Sequence, residues 1–413
     1  MQQEKSHRMP LTILSQAFIL SFAMYAPMFC VPPMEHILKA ELNLTHAQTS
    51  LLFTAPMLMI VVVAIPAGLI ADKIGFKKAA GIGAIIMAAG TILRGTATNA
   101  SSLLAFTFLY GFGFGWSFPN LPKLVSAWVP REKAGVATGI FTAGLSAGGA
   151  LALAITMPLI YPITNTFQGV FYVWSIPPII AAILWWVLVK EPPRINTPVE
   201  VPIKNRTPFR QVIQNKNLWM VSILLLLNEV FFQTWAGWAP ALTMLKGAAP
   251  EQAGLISSIT IWVAIPAALL MPRLAYGIGL RKPFIWIPSL ILAFVAWRAI
   301  GISLSKSWIL MAMVGIVDTT RYATILSLPV EIMSEKEVGT GSGVVLSIGH
   351  LGGIVGPYMG GYVLDRTGSL DLALLLLTGV SIAMFGIALK LPETGPLKGI
   401  KEYIYQRRRR QYS

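Results

Sequence analysis

Twelve stretches of about twenty apolar residues follow one another along this chain of 413 residues. A bilayer core roughly 30 Å thick is crossed by about 20 apolar residues in a helix, so each stretch is long enough to span a membrane. None alternates apolar and polar residues as membrane β-barrel strands do. We therefore predict an all-α membrane protein with spans at about 12–31, 48–70, 80–98, 103–127, 135–158, 169–189, 218–243, 253–271, 284–303, 308–330, 340–362 and 370–389.

Charged residues are few and mostly basic, with 12% of the chain charged and a formal net charge of +15. With the N-terminus in the cytoplasm, 25 Lys and Arg fall on the cytoplasmic side, 4 on the opposite side and 3 within spans. Basic loops face the cytoplasm in membrane proteins. Both termini are therefore predicted to be cytoplasmic, in the cytoplasmic membrane of the cell. The lipid bilayer then accounts for the basic excess, and no nucleic-acid partner is expected.

Two loops half a chain apart share a sequence pattern. Residues 71–78 correspond to residues 275–282 at an offset of 204, and the same offset relates Gly148 to Gly352. This register predicts two six-helix halves of the same topology. Parallel repeats of this kind are a transporter architecture, with a substrate site between the halves near the membrane midplane. The predicted units are an N-terminal bundle at 1–190, a polar, Pro-rich cytoplasmic linker at 191–216, a C-terminal bundle at 217–392 and a basic cytoplasmic tail at 393–413.

The first of the two loops contains a recognisable motif. In GLIADKIGFKK, residues 68–78, a glycine is followed four residues later by an aspartate, then by a second glycine and by basic residues. Together with the twelve spans and the repeat, this loop resembles the signature of the major facilitator superfamily (MFS). The resemblance implies the MFS fold, with alternating access between two bundles. It assigns five residues to a gating loop: Gly68, Asp72, Gly75, Lys77 and Lys78.

The segment 118–139 resembles the cyanate and nitrate/nitrite porter branches of the superfamily, and also its oxalate–formate and monocarboxylate-like branches. This resemblance implies a small anion as the substrate. Two departures count against a drug antiporter: Thr107 stands where the family often has an arginine in helix 4, and helix 5 lacks the Gly-Pro pair. Helix 11 lacks the asparagine of the nitrate porters, which counts against nitrate itself.

Ionisable residues within a membrane are costly and are functional candidates by default. In the resembling family, helices 1, 4, 7 and 10 line the central cavity. Glu229 in helix 7 and Asp318 in helix 10 lie about 15 Å along their helices, near the midplane. Six residues within the spans are the candidates: Arg94, Glu229, Arg298, Asp318, Arg321 and His350.

Asp318 and Arg321 are three residues apart, so they share a helix face and can pair. In one interpretation, Arg321 binds an anionic group of the substrate and Asp318 holds or releases it; a purely structural ion pair is the alternative. Glu229 has no basic neighbour in its own helix, and burial disfavours the charged form of a carboxylate. We predict Glu229 and Asp318 as proton-coupling residues, with a neutral packing role as the alternative for Glu229.

Polar side chains at similar depth complete the predicted substrate site. Besides Arg321 they are Asn228, Tyr25, Asn120, Gln233 and His350. Arg94 and Arg298 occupy equivalent places late in helices 3 and 9. We expect both to extend to the outer interface, with their stems in the apolar region.

The sequence contains no phosphate-binding loop, no metal-ligand spacing and no hydrolase motif. We therefore expect no enzyme and no cofactor. The predicted function is secondary active transport of a small solute, an organic or inorganic anion, by a monomer coupled to protons as a symporter or antiporter. The alternatives are a proton-coupled efflux transporter of cationic or multidrug compounds, and a non-transporting membrane receptor.

Overall fold

A computed structural model describes residues 11–129, 134–190, 209–334 and 337–395. Over these residues the chain is helical and contains no β-strand. Twelve long helices are numbered in chain order: α1 (Leu11–Phe29), α2 (His46–Ile74), α3 (Phe76–Arg94), α4 (Ala100–Ser117), α5 (Ala134–Ile155), α6 (Phe167–Leu188), α7 (Lys216–Leu245), α8 (Pro250–Ile278), α9 (Pro283–Gly301), α10 (Leu304–Ile332), α11 (Val338–Thr367) and α12 (Asp371–Lys390). Shorter helical segments are Pro32–Met34, Glu35–Leu42, Asn120–Trp128, Thr156–Ile160, Tyr161–Thr164 and Phe209–Val212.

Within the described residues, 11 helices are long and apolar enough to cross a membrane. The twelfth long helix is α4, which contains glycines at 111, 113 and 115. A Cβ atom at Gly113 would collide with the backbone of Met87 in α3, and one at Gly115 with the backbone of Met59 in α2. The glycines thus let α4 approach its neighbours closely, and they lower the mean hydropathy of this helix.

The predicted span 103–127 is not one continuous helix. Helix α4 ends at Ser117, and the chain resumes a helical course at Asn120–Trp128 after Phe118 and Pro119. Proline has no N–H to donate one turn back, which interrupts the hydrogen-bond ladder at this point. Asn120 therefore lies at the beginning of a second, short segment.

The two halves pack their helices in the same pairs. Helix α1 packs on α5 and α6 as α7 packs on α11 and α12, and α3 contacts α4 and α6 as α9 contacts α10 and α12. Gly148 of α5 lies against the carbonyl of Phe22, and Gly352 of α11 lies against the carbonyl of Leu226. Both members of this contact are related by the offset of 204. The sequence repeat is therefore a structural repeat of two pseudo-symmetric six-helix bundles.

The halves meet along two helix pairs, α2 with α11 and α5 with α8. We call the end opposite the termini the outer end. There α2 and α11 touch: a Cβ atom at Gly361 would collide with the backbone of His46. Toward the termini, Gly68 of α2 and Gly343 of α11 face open space. The bundles are thus closed against each other at the outer end.

The apolar cores of the two halves differ. The N-terminal half has one continuous cluster, which includes Leu20, Met87 and Phe114. The C-terminal half has two clusters, an outer one that includes Phe231 and one nearer the termini that includes Leu225. Helix α7 contributes to both clusters, and the stretch between them contains the polar residues described below.

The predicted linker lies outside the described residues from 191 to 208, as does the predicted tail from 396 onward. In the described part of the linker, the side chain of Asn215 accepts the N–H of Asn217 at 3.0 Å. Asn215 is therefore the N-cap of α7. Glu393, at the start of the predicted tail, accepts the N–H of Arg281 at 2.7 Å and that of Lys282 at 3.3 Å. The first described residues of that tail therefore pack on the C-terminal half.

Candidate functional site

Arg321 in α10 is the centre of a buried polar cluster. Its Nε donates to Oδ1 of Asn228 in α7 at 2.8 Å, and its Nη2 donates to Oδ1 of Asp318 at 2.7 Å. The guanidinium carbon lies 5.2 Å from the centre of the Phe231 ring. Arg321 is 0% exposed and Asp318 is 3% exposed. The spacing of three residues along a helix brings the two charges together, as the sequence predicts.

This cluster retains donors that no protein group uses. Within the described residues, the two N–H groups of Nη1 of Arg321 have no hydrogen-bond partner, although the atom is buried. Buried polar atoms in proteins nearly always have a partner. Two unused N–H donors beside a buried positive charge are chemically suited to an anionic oxygen.

Glu229 lies on the α11 side of α7. Its Oε2 accepts from Nε2 of Gln233 at 3.2 Å, and Gly353 of α11 leaves room for both side chains. Glu229 interacts electrostatically with His350 and with Asp318. Nδ1 of the half-buried His350 donates to the carbonyl of Leu346 at 2.7 Å. The structure therefore brings the predicted proton-coupling residues near each other, with His350 at the edge.

The N-terminal half faces this cluster with aromatic side chains. The ring of Tyr25 in α1 lies 5.2 Å from that of Phe29 and 6.1 Å from that of Phe114. Tyr25 is half-buried and lies near Glu229, across the interface between the halves. Tyr322 of α10 lies near both residues. Tyr322 is not predictable as a site residue from the sequence, because an uncharged aromatic residue in a span has no distinguishing signal apart from its position beside Arg321.

Asn120, one of the predicted site residues, lies apart from the polar cluster around Arg321. It is 0% exposed, and its Nδ2 donates to the carbonyl of Trp116 at 2.9 Å. Its Oδ1 is buried without a partner in the described part of the chain. None of its hydrogen bonds there reaches α7 or α10, so Asn120 belongs to the bend between the two segments of the fourth span.

The predicted gating loop forms the turn between α2 and α3. Gly75 has a φ of +91°, in the left-handed region that favours glycine, and its repeat counterpart Gly279 has a φ of +72°. Asp72 lies in the last turn of α2, and Lys77 and Lys78 lie in the first turn of α3. The carbonyl of Gly68 accepts from Nζ of Lys123 at 2.8 Å, which links α2 to the segment after α4. A gating role for this loop stays a prediction.

Arg94 differs from its expected position. From the sequence, its side chain is expected to reach the outer interface, but it is 0% exposed. Its Nη1 donates to the carbonyl of Pro27 at 2.7 Å, and its guanidinium stacks 4.0 Å from the centre of the Phe171 ring. A cation at the C-terminus of α1 is favoured by the helix dipole, which explains the inward orientation. Its counterpart Arg298 is exposed beside Trp297, as expected.

A family model described as Major Facilitator Superfamily matches residues 17–357. That match covers most of the chain, and the protein therefore belongs to the major facilitator superfamily. Together with the relatives named below, this membership makes it a multi-pass membrane transporter and not an enzyme.

The named relatives have low sequence identity to this chain, but their alignments cover most of it. The chain is 24% identical over 397 residues to the uncharacterized transporter YycB of Bacillus subtilis, with 95% of each covered. It is 24% identical to the probable sulfoacetate transporter SauU of Cupriavidus necator, with 91% of each covered. Further relatives are named as transporters of 2-nitroimidazole, hexuronate and tartrate.

The fold also matches solved structures. A bacterial homolog of the human lysosomal transporter Spinster, in an inward-facing and unoccupied conformation, gives a TM-score of 0.72 at 17% identity. The match covers 92% of this chain and 94% of that one. At this identity the likeness establishes the fold and leaves the substrate open.

Proposed function

We propose that this transporter moves a small organic anion across the cytoplasmic membrane, together with protons, and that Arg321 is the anion contact. The observation that carries the proposal is the buried guanidinium of Arg321, which is held by Asn228 and Asp318 while Nη1 has no protein partner. Guanidinium groups suit anionic oxygens because their N–H donors are planar and permanently charged. Relatives named for sulfoacetate and hexuronate support the same class of substrate.

Proton coupling follows from the charges of the cluster. When Asp318 is ionised, it neutralises Arg321. A proton on Asp318 weakens this ion pair and makes the positive charge of Arg321 available to the substrate anion. Glu229, hydrogen-bonded to Gln233, is the second proton carrier. Anion and proton thus bind together, and the proton gradient drives import.

The arrangement of the bundles supports alternating access. The outer end is closed along α2 and α11, and the charge asymmetry assigns the end that bears the termini to the cytoplasm. This conformation is therefore the inward-facing one. Rocking of the two bundles would expose the site, which one chain forms by itself as a monomer, to the outer side.

The test is uptake by proteoliposomes that contain the purified full chain. Sulfoacetate, a hexuronate and tartrate would be offered with an outside-acid gradient, and the membrane potential would be clamped with potassium and valinomycin. We expect at least one anion to accumulate above its equilibrium level, and we expect accumulation to stop when the gradient is collapsed.

Matched variants locate the site. Arg321→Lys, chosen because it keeps the charge, should abolish accumulation, whereas Arg298→Lys at the exposed counterpart should leave it unchanged. Size-exclusion chromatography checks that both variants are folded. Uptake that ignores the gradient overturns the coupling. Movement of an organic cation with no movement of any anion overturns the substrate class in favour of efflux.

A further inference from the structure

At the outer end, a carboxylate of one half caps a helix of the other half. Oδ1 of Asp365, in the last turn of α11, accepts the N–H of His46 at 2.8 Å, and Oδ2 accepts the N–H of Ala47 at 2.9 Å. His46 and Ala47 are the first two residues of α2. One side chain of the C-terminal half therefore holds the beginning of a helix in the N-terminal half.

This contact completes the N-terminus of α2. A helix begins with four N–H groups that have no partner within the helix. Counted from the N-cap Thr45, the first N–H group, on Thr45, is accepted by the side chain of Gln48 at 2.9 Å, and the fourth, on Gln48, by the side chain of Thr45 at 3.1 Å. Asp365 takes the remaining two, and its negative charge is favoured at the positive end of the helix dipole. When the halves separate at this end, both N–H groups lose the carboxylate.

Neighbouring groups fix His46 in place. Nζ of Lys39 lies 2.6 Å from Nε2 of His46. Because the lysine ammonium has only donors, Nε2 accepts and the neutral ring has its hydrogen on Nδ1. Nδ1 then donates to Glu35 at 2.6 Å. In the C-terminal half, the ring of Trp238 lies 6.0 Å from that of His46. Nε1 of Trp238 donates to the carbonyl of Pro357 in α11 at 2.8 Å.

The second interface between the halves cannot make the same contact. The offset of 204 places Tyr161 at the position of Asp365 and Pro250 at the position of His46. Pro250 is the first residue of α8 and has no N–H to donate. Of the two symmetry-related positions at the outer end, only the one between α2 and α11 is therefore held by a carboxylate.

We propose that Asp365 is the latch of the outer end: its contact with the first turn of α2 holds the outside-closed state, and its release opens the central site to the outer side. This inference rests on the alternating access of the proposed function. Asp365 acts on the conformational equilibrium and does not touch the substrate. The latch consists of Asp365, His46 and Ala47.

The experiment measures the distance between the two halves at the outer end. Spin labels would be placed at position 41 in the N-terminal half and at position 306 in the C-terminal half, both exposed, in the full chain reconstituted in nanodiscs. Asp365→Ala should lower the ratio of closed to open populations about tenfold, because it removes two hydrogen bonds to a charged group. Asp365→Asn keeps one acceptor oxygen and should cause a smaller shift.

The matched control is Asp371→Asn, a nearby exposed acid in the first turn of α12. It should leave the distance distribution unchanged. An unchanged distribution in both Asp365 variants overturns the latch, and so does an equal shift in Asp371→Asn. The uptake assay separates the two proposals: distances that shift in a protein that moves no anion leave the latch intact and refute the proposed substrate class.

Discussion

The two halves of the molecule share their helix packing and differ in the chemistry at their centres. The offset of 204 pairs the three charged residues at the centre of the C-terminal half with uncharged ones of the N-terminal half: Glu229 with Tyr25, Asp318 with Phe114, and Arg321 with Ser117. The N-terminal half forms the same bundle around one continuous apolar core. The fold therefore does not require the buried charges, which points to a role in function.

Within the described residues, each half nevertheless contains one fully buried arginine, at a different depth. Arg94 lies at the C-terminus of α1 and binds a backbone carbonyl with no carboxylate beside it. Arg321 lies midway along α10 and is paired with Asp318. The first arginine has a local structural partner. Both arginines retain buried N–H donors without a partner among the described residues, Nε and Nη2 of Arg94 and Nη1 of Arg321. What distinguishes Arg321 is its carboxylate partner and its place in a network that joins two helices.

The largest expected effect comes from breaking the ion pair of the C-terminal half. Arg321→Gln leaves Asp318 buried without its counter-charge and should lower the free energy of unfolding by about 3–5 kcal/mol. The double variant Asp318→Asn with Arg321→Gln should recover much of this loss. The midpoint of thermal unfolding in detergent, followed by tryptophan fluorescence, measures both. If Arg321→Gln were as stable as the wild type, the ion pair of the C-terminal half would contribute nothing to stability, and the two halves would not differ in this respect.

An intermediate effect is expected at the symmetry-related arginines of α3 and α9. Arg94→Ala removes a charged hydrogen bond to Pro27 and should cost about 1.5–3 kcal/mol. Arg298→Ala removes an exposed side chain and should change stability by less than about 0.5 kcal/mol. The same unfolding assay compares the two. Equal effects would show that the difference in burial has no energetic consequence.

Among the buried charged residues, the smallest effect on stability, within about 1 kcal/mol, is expected for Glu229→Gln, since Gln has the same shape and can still bond Gln233. Its effect should appear in transport instead: accumulation driven by the proton gradient stops, while exchange of labelled for unlabelled anion continues. Glu41→Gln, at an exposed acid, is the control. Gradient-driven accumulation in Glu229→Gln would remove this residue from the coupling mechanism.

Local patterns in the sequence predict much of this structure. The spans follow from apolar length, the two halves from the offset of 204, and the contact between Asp318 and Arg321 from their spacing on one helix. The position of Arg94 could not be predicted in this way, because its partners Pro27 and Phe171 belong to two other helices. The contact of Asp365 with His46 joins residues 319 apart, and no local rule reaches that far.

The ion pair within α10 also bears on how the chain enters the membrane during synthesis. A helix released into lipid before its neighbours arrive must satisfy its charges by itself. Because Asp318 and Arg321 are one turn apart, α10 can insert as an electrically neutral unit without waiting for Asn228 of α7. Glu229 has no cation near it in its own helix, because Lys216 is the first residue of α7, so α7 depends more on its neighbours. Assembly of the C-terminal half should therefore be most sensitive to the insertion of α7.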